Sequence, residues 1–375
     1  MNYPVLNKVI VSVTNDLSTD QRVDKVCTTL TGMGFSVLLV GRKLKESLVL
    51  DRTYATHRMK LLFLKGPLFY AEFNLRLFFL LLTRKSNLLV SNDLDTLPAN
   101  FLVHRIKRIP LVYDSHEYYT ETPELINRPF VQGIWKWIEG RIFPRLEDTI
   151  TVNESIAGLF EKKYGKRPAV VRNIPRSAGV VVKKSRTELG LPEDQRIVLV
   201  QGAGINIQRG SEEAIDAIQH VPNAILLIIG GGDVINALKK QAEQPSLKGK
   251  VIFLSKMPYP ALMQYTRLAD IGLTLDKDTN INYRFSLPNK LFDYIHAGIP
   301  VLASRLPEIG RIVEGYNIGL ITESHEPVEI AAKINQMLND IESRKIWNEN
   351  LAKASSALNW ENEERVLRSI YQKYV

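Results

Sequence analysis

Several stretches of the chain bring together residue types able to hold an anion or to handle a sugar hydroxyl. In SLPNKLFDYIHAGIPV, Pro288 before and Gly298 after predict a helix from about 289 to 296, and Pro300 precedes an apolar strand. Lys290 then falls in the first helical turn, where a cation opposes the helix dipole. A phosphate beside Ser286, Leu287, Asn289 and Lys290 would remove that penalty, and Asp293, one turn on, is placed to accept from ribose hydroxyls. In QGAGINIQRGS, Gly204 and Gly210 allow close backbone approach, Arg209 adds a full positive charge, and a helix starting near Ser211 adds a partial one. The Gly-x-Gly spacing does not complete a dinucleotide fingerprint. LIIGGGD ends an apolar run on Gly230 to Gly232, so Gly231 is either a ligand contact or part of a tight turn. FLSKMPYP offers backbone at Met257 to a flat nucleobase.

The first half carries its own candidates. VYDSHEYYTETPEL places His116 and Glu117 just past an apolar strand, where a histidine of near-neutral pKa can donate to a sugar hydroxyl or support a developing charge. A loop-capping role is the plainer alternative. VTNDLSTDQRVDKV sets Asn15, Asp16, Ser18, Thr19 and Asp20 ahead of a helix. They form either a turn capped by Asp20 or Thr19, or an acceptor-binding loop made of Asn15, Asp16 and Ser18 with Glu117. NDLDTLP holds Asp93 and Asp95, which in extended backbone point the same way and could both reach one cation. Its simpler reading is a helix start with Asp95 or Thr96 as N-cap and no metal.

These loops need a scaffold. Val9–Val13, Ser36–Val40, Leu88–Val90, Leu111–Tyr113 and Thr149–Val152 are short apolar or β-branched runs, each followed by an amphipathic segment. The rhythm restarts after a polar linker at 176–195, with Ile197–Val200, Ala224–Ile229, Val251–Leu254, Ile271–Leu275, Val301–Ala303 and Gly319–Ile321. Such alternation implies parallel sheets covered by helices, with ligands beyond the carboxyl ends of the strands. Two α/β/α domains follow, at 1–178 and 179–357, and 358–375 forms a charged amphipathic helix with Val366, Ile370 and Tyr374 on one face.

The net charge of +9 lies wholly in the first half: residues 1–180 carry 26 Lys+Arg against 17 Asp+Glu, and 181–375 carry 23 of each. That bias favours an anionic partner or is a solvated surface. Cys27 is the single cysteine, so no disulfide or thiolate metal cluster forms within the chain, which suits a reducing cytoplasm. The apolar run 75–82 is far shorter than the ~20 residues a membrane helix needs. The stretch Phe69–Leu82, flanked by Lys65, Arg84 and Lys85, either lies on an anionic membrane or packs as a buried helix. No nucleic-acid recognition motif is present. The turn Thr14–Asp20 lacks the glycine a dinucleotide-binding first turn requires, which removes a dehydrogenase.

Taken together, these residues resemble the retaining glycosyltransferases of the GT-B fold, specifically family 4, over nearly the whole chain; PNKLFDYIHAGIPV is the most specific piece. The resemblance implies two Rossmann-like domains around an interdomain cleft, with the closing helix returning to the first. It also implies a UDP- or GDP-sugar donor, no required metal or cofactor, and a glycan or lipid-linked acceptor, at a cytoplasmic or peripheral membrane location. On this pattern His116, Arg209 and Lys290 are catalytic. Gly204, Arg209, Gly231, Met257, Ser286, Leu287, Asn289, Lys290 and Asp293 bind the donor. The family's basic-Gly pair matches Arg209-Gly210, its preceding arginine falls on Gly204, and its second acid is Asp293. Its first acid falls on Phe285, leaving backbone at Ser286 and Leu287, or Asp278, to hold the sugar. A nucleotide-sugar epimerase of the same fold and a non-catalytic glycan-binding or partner subunit are the alternatives.

Overall fold

The computed structural model describes residues 7–18, 20–177 and 183–375. The chain divides into two compact units, one ending at Asn173 and completed by Glu363–Val375, the other spanning Ile174–Asn362. Thr19 and part of the linker lie outside the described residues.

The first unit runs β1 (Lys8–Asp16), α1 (Gln21–Gly32), β2 (Ser36–Arg42), β3 (Ala55–Met59), α2 (Gly66–Thr83), β4 (Leu88–Asn92), α3 (Leu97–Lys107), β5 (Leu111–Ser115), α4 (Pro123–Ile126), α5 (Pro129–Ile142), β6 (Asp148–Thr151), α6 (Glu154–Tyr164) and β7 (Ala169–Val170). Its sheet order is β3-β2-β1-β4-β5-β6-β7, all pairs parallel. Val9, Ile10, Val11 and Val13 are all buried, as a strand covered on both faces requires. The two edge strands escape the apolar-run criterion. In β3, ATHRM buries only Met59, and β7 is two residues long.

The second unit continues with β8 (Arg196–Gly202), α7 (Ser211–Ile218), β9 (Ala224–Gly230), α8 (Ile235–Gln241), β10 (Val251–Leu254), α9 (Tyr259–Thr266), β11 (Ile271–Thr274), α10 (Ile281–Arg284), α11 (Asn289–Ala297), β12 (Val301–Ser304), α12 (Pro307–Gly315), β13 (Gly319–Thr322), α13 (Pro327–Asn339) and α14 (Ile341–Ala357). Its parallel sheet has the order β10-β9-β8-β11-β12-β13. In each sheet the order reverses beside the first strand, between β1 and β4 and between β8 and β11. Both units are therefore doubly wound, and a ligand crevice is expected at each switch point.

The final helix, α15 (Trp360–Tyr371), buries Glu363, Leu367 and Tyr371, one helical turn apart, while Val366 is exposed and Ile370 only half-buried. The expected Val366–Ile370 face is thus not the packed one. The Glu363 carboxylate accepts from the Arg172 backbone N–H at 2.7 Å and from its Nε at 2.8 Å, and this polar anchor sets the helix rotation. Helix α2 buries Phe69, Phe73, Leu77 and Leu81 but leaves Leu68, Leu75 and Phe79 exposed, so it is a one-sided packed helix. Among the described residues no helix is long and apolar enough to cross a membrane.

Candidate active site

In the first unit the ends and following loops of β4 and β5 meet around His116, with α1 behind them. Asp93, which follows β4, adopts a left-handed backbone (φ 58°). From there its carboxylate accepts the His116 backbone N–H at 2.8 Å and lies 3.2 Å from His116 Nδ1. His116 Nε2 lies 3.1 Å from Asn92 Oδ1 and 3.6 Å from Asp114 Oδ2. Asp114, at the end of β5, is in turn clamped by Arg22 of α1, whose Nη2 and Nε reach its two oxygens at 2.7 and 3.3 Å. Arg22 and Asp114 are both almost fully buried.

Burial disfavours a charged imidazole, but Asp93 and Asp114 outweigh it and raise the His116 pKa to about 9. Burial likewise pushes against ionised Asp114, yet Arg22 and His116 hold its carboxyl well below the usual range. His116 is therefore an imidazolium at neutral pH, with both ring nitrogens beside protein acceptors. Of the two expected roles, donation to a hydroxyl and support of a developing charge, the two flanking carboxylates favour the one that needs a charged ring.

Asp93 and Asp95 do not act as a pair. Asp95 accepts from Thr14 Oγ1 at 2.6 Å, and burial, with Asp93 adding to it, pushes its carboxyl up to about 7. Thr96 is the N-cap residue of α3, as one of the two expected candidates, but it makes no side-chain capping bond; its hydroxyl donates to the Asn92 carbonyl instead. In the β1–α1 loop Asp20 is the N-cap, accepting from Val23 N at 3.1 Å, and Asn15 donates to its other oxygen. Asp16 accepts from Ser18 N and Oγ and from Ser47 Oγ. Burial opposes the Asp16 charge, but these donors outweigh it and lower its pKa. Asn15 is exposed and Ser18 half-buried. Glu117 is half-buried, and its carbonyl accepts from Ser115 Oγ.

In the second unit, Arg209 and Lys290 come together, and the group that joins them is one the sequence reading passed over. Asp276, in the loop after β11, is wholly buried. It accepts from Arg209 Nη1 at 2.6 Å and Thr274 Oγ1 at 3.1 Å, and lies 3.4 Å from Lys290 Nζ. Burial would raise its carboxyl, but Lys290 and Arg209 outweigh this and hold it below the ordinary range. Burial lowers the Lys290 pKa, with Asp276 restoring only part of the loss. The Arg209 guanidinium also lies 4.3 Å from the centroid of the Tyr283 ring. Two cations share one carboxylate at the switch point, so the cluster has one positive charge to spare. Lys290 at the start of α11 is explained by this internal counter-charge as well as by any phosphate.

Helix α11 follows the expected plan, beginning at Asn289 after Pro288 and ending on Gly298 in the left-handed conformation. Asp293 faces inward: Gln201 Nε2 donates to one oxygen at 2.9 Å and the Tyr259 hydroxyl to the other at 3.0 Å. It is thus held by protein donors, and its solvent exposure is 8%. Phe285 occupies the position of the absent acid. The Ser286 N–H is already given to the Tyr283 carbonyl at 3.1 Å, and Asp278 holds Arg284 Nε at 2.9 Å, so neither stands in for that acid unencumbered. Leu287 and Met257 pack against the hydrophobic core of this unit, and Asn289 is exposed.

The glycines divide into two kinds. A Cβ at Gly230 would lie 1.8 Å from the Gly202 carbonyl oxygen and one at Gly232 2.0 Å from that of Ile205, so backbone packing alone demands glycine there. Gly231 meets only the flexible end of Lys256, and Gly204 is exposed with nothing nearer than the Asn206 side chain at 3.7 Å. The first turn of α7 already carries Glu212 and Glu213, the latter paired with Lys277, so its dipole is matched from within. Arg209 carries the anion attraction of this loop. Asp276 could have been suspected from TLDKD, an acid directly after a strand; Arg22, Asp114, Gln201 and Tyr259 left no local signal.

Comparison with known proteins bears on the whole chain. Residues 21–177 match the model of Glycosyltransferase Family 4 and residues 181–354 that of Glycosyl transferases group 1. The chitobiosyldiphosphodolichol beta-mannosyltransferase of Candida albicans is 24% identical over 74% of this chain and 68% of its own. The D-inositol 3-phosphate glycosyltransferase of Corynebacterium jeikeium is 22% identical over 60% of this chain. The match spans only 56% of that protein's length. Among solved structures, the sucrose-phosphate synthase of Thermosynechococcus elongatus superposes with TM-score 0.81 at 16% identity, covering 98% of this chain and 99% of that one. Anabaena HepE in complex with UDP-glucose superposes with TM-score 0.73 at 16% identity, covering 98% and 99%. Two doubly wound parallel sheets in sequence, each matched by one of the paired family models, establish the GT-B fold, and the chain belongs to the group 1/family 4 glycosyltransferases.

Proposed function

We propose that the protein transfers a sugar from a UDP- or GDP-sugar to a glycan or lipid-linked acceptor, with retention of configuration and without a required metal. The observation that carries this reading is the convergence of Arg209 and Lys290 on buried Asp276, beyond the carboxyl ends of β8 and β11. In the reaction the bond from the anomeric carbon to the diphosphate oxygen breaks. The acceptor oxygen bonds to that carbon on the same face, and the acceptor proton passes to the departing diphosphate. Negative charge grows on the leaving group, and a preorganised pair of cations in a partly dehydrated site stabilises that growth more than the ground state. Asp293, held rigidly by Gln201 and Tyr259, is the carboxylate that takes a ribose hydroxyl in this reading. Asn15, Asp16, Ser18 and Glu117 form the acceptor side, and the His116 imidazolium supplies a fixed positive charge near it.

Calorimetric titration with UDP, GDP and their sugars tests the donor assignment. Lys290→Ala should weaken nucleotide binding about 10- to 100-fold, the scale of one charge-assisted contact, and Arg209→Ala at least as much. Proton NMR of the product's anomeric centre tests retention. If no sugar nucleotide binds, the transferase reading fails. A second reading, a binding subunit without activity, is favoured by Phe285 where the family places an acid. It predicts nucleotide binding with neither transfer nor hydrolysis.

A further inference from the structure

Helix α5 presents a surface that the sugar chemistry does not use. Its buried side carries Trp135, Glu139 and Ile142, and the Glu139 carboxylate is taken by Lys163 Nζ at 2.7 Å and the Tyr164 hydroxyl at 2.6 Å. The opposite side is apolar and exposed: Phe130 is 81%, Ile134 43% and Trp137 62% accessible, with Gly133 between them. These positions recur every three or four residues, so they form one stripe along a helix about 21 Å long. The only acid on α5 is the buried Glu139, whereas Arg128, Lys136, Arg141 and Arg145 are exposed at its ends and flank. Lys136 is shared with Glu121 at 2.7 Å, and the Arg141 guanidinium lies 5.7 Å from the Trp137 ring centroid.

We infer that α5 lies flat on an anionic lipid bilayer, its Phe130–Ile134–Trp137 stripe in the headgroup–acyl boundary and its arginines among the anionic headgroups. An aqueous monomer has little reason to show water three large apolar side chains in line. Exposed Arg128, Arg141 and Arg145 beside a helix with no exposed acid of its own favour a negatively charged surface. A protein partner of ordinary composition would be expected to meet both signs of charge. The inference rests on the reading of a lipid-linked acceptor, since docking of this unit would bring its acceptor loops to such a substrate. It also places the membrane contact on α5 rather than on Phe69–Leu82, whose Phe69, Phe73, Leu77 and Leu81 are buried in the unit.

Four tryptophans are present, and Trp135, Trp347 and Trp360 are buried, so a change in tryptophan emission on binding reports chiefly on Trp137. The test mixes the full chain with vesicles of equimolar phosphatidylcholine and phosphatidylglycerol, with phosphatidylcholine vesicles as control. Expected are a shift of emission to shorter wavelength on the anionic vesicles only, and quenching by lipids brominated near the headgroup end of the chain. Phe130→Ser/Ile134→Ser should cut co-sedimentation by more than about tenfold. Arg128→Gln and Arg141→Gln should each cut it roughly fivefold. All three variants should keep wild-type UDP affinity. No emission change in protein that still binds UDP overturns the membrane contact while leaving the transferase reading intact. Equal binding to both vesicle types overturns the role of the cations. A dimer in solution that Phe130→Ser/Ile134→Ser converts to monomer assigns the stripe to a second copy instead, and overturns the inference.

Discussion

Replacing Asp276 by Asn isolates the electrostatics of the second-unit cluster. The substitution keeps the shape but removes the charge that Arg209 Nη1, at 2.6 Å, and Lys290 Nζ, at 3.4 Å, share inside the protein. Deleting one partner of a buried ion pair costs about 3–5 kcal/mol, because the other charge is left uncompensated. The Arg209 side chain is 24% exposed and that of Lys290 12%, so water screens part of the loss, and about 2–3 kcal/mol remains. For a unit of this size each kcal/mol lowers the melting temperature by about 2–4 °C, so differential scanning calorimetry should find a drop of roughly 4–12 °C. Added UDP supplies negative charge at the same place and binds only the folded state. Its stabilising shift should therefore be larger in Asp276→Asn than in the wild type. A melting temperature within about 1 °C of wild type, or a UDP shift that shrinks, would refute the view that Asp276 balances two cations awaiting an anion.

The remaining expectations concern both units. His116, raised to about 9 by Asp93 and Asp114, should stabilise the fold relative to His116→Gln fully below the unfolded pKa of ~6.5. That advantage, about 2–3 kcal/mol at most, should fade as pH rises through about 9, and urea denaturation across this range measures it; a difference independent of pH would show that the ring is not charged. Glu363→Gln, which weakens the two hydrogen bonds from Arg172, should destabilise the first unit by about 1–2 kcal/mol, with a change under ~0.5 kcal/mol arguing that packing of Leu367 and Tyr371 alone holds the helix. Gly230→Ala, which would put a Cβ 1.8 Å from the Gly202 oxygen, should cost at least ~3 kcal/mol, whereas Gly204→Ala should stay within about 0.5 kcal/mol. Equal effects of the two would mean that the loop repacks.

Most of the scaffold could be read from the sequence because parallel strands buried on both faces are uninterrupted apolar runs, as in Val9–Val13 and Ala224–Ile229. The start and stop of α11 were equally plain, since Pro288 and Gly298 act through local backbone geometry. What was not legible depends on partners far along the chain. Arg22 meets Asp114 across ninety-two positions, and Asp276 joins Arg209 across sixty-seven. The pKa of His116 is set by such partners, so its residue type alone suggested a near-neutral pKa where Asp93 and Asp114 raise it to about 9. The rotation of α15 failed for a related reason: Glu363 is buried by its bond to Arg172, which no hydrophobic pattern predicts.

Because Leu367 and Tyr371 are wholly buried in the unit whose sheet is built from residues 8–170, that unit is discontinuous in the chain. During synthesis its sheet emerges first, yet its closing helix is made only after the entire second unit. The second unit can complete its own core on the ribosome while the first waits with an apolar groove uncovered. Nascent chains are thus most prone to aggregate, or to recruit a chaperone, through the half that was made earliest. Synthesis of Glu363–Val375, rather than emergence of the sheet, becomes the step that completes the first unit. A stop codon before Leu367 should accordingly damage the half of the molecule farthest from it in sequence.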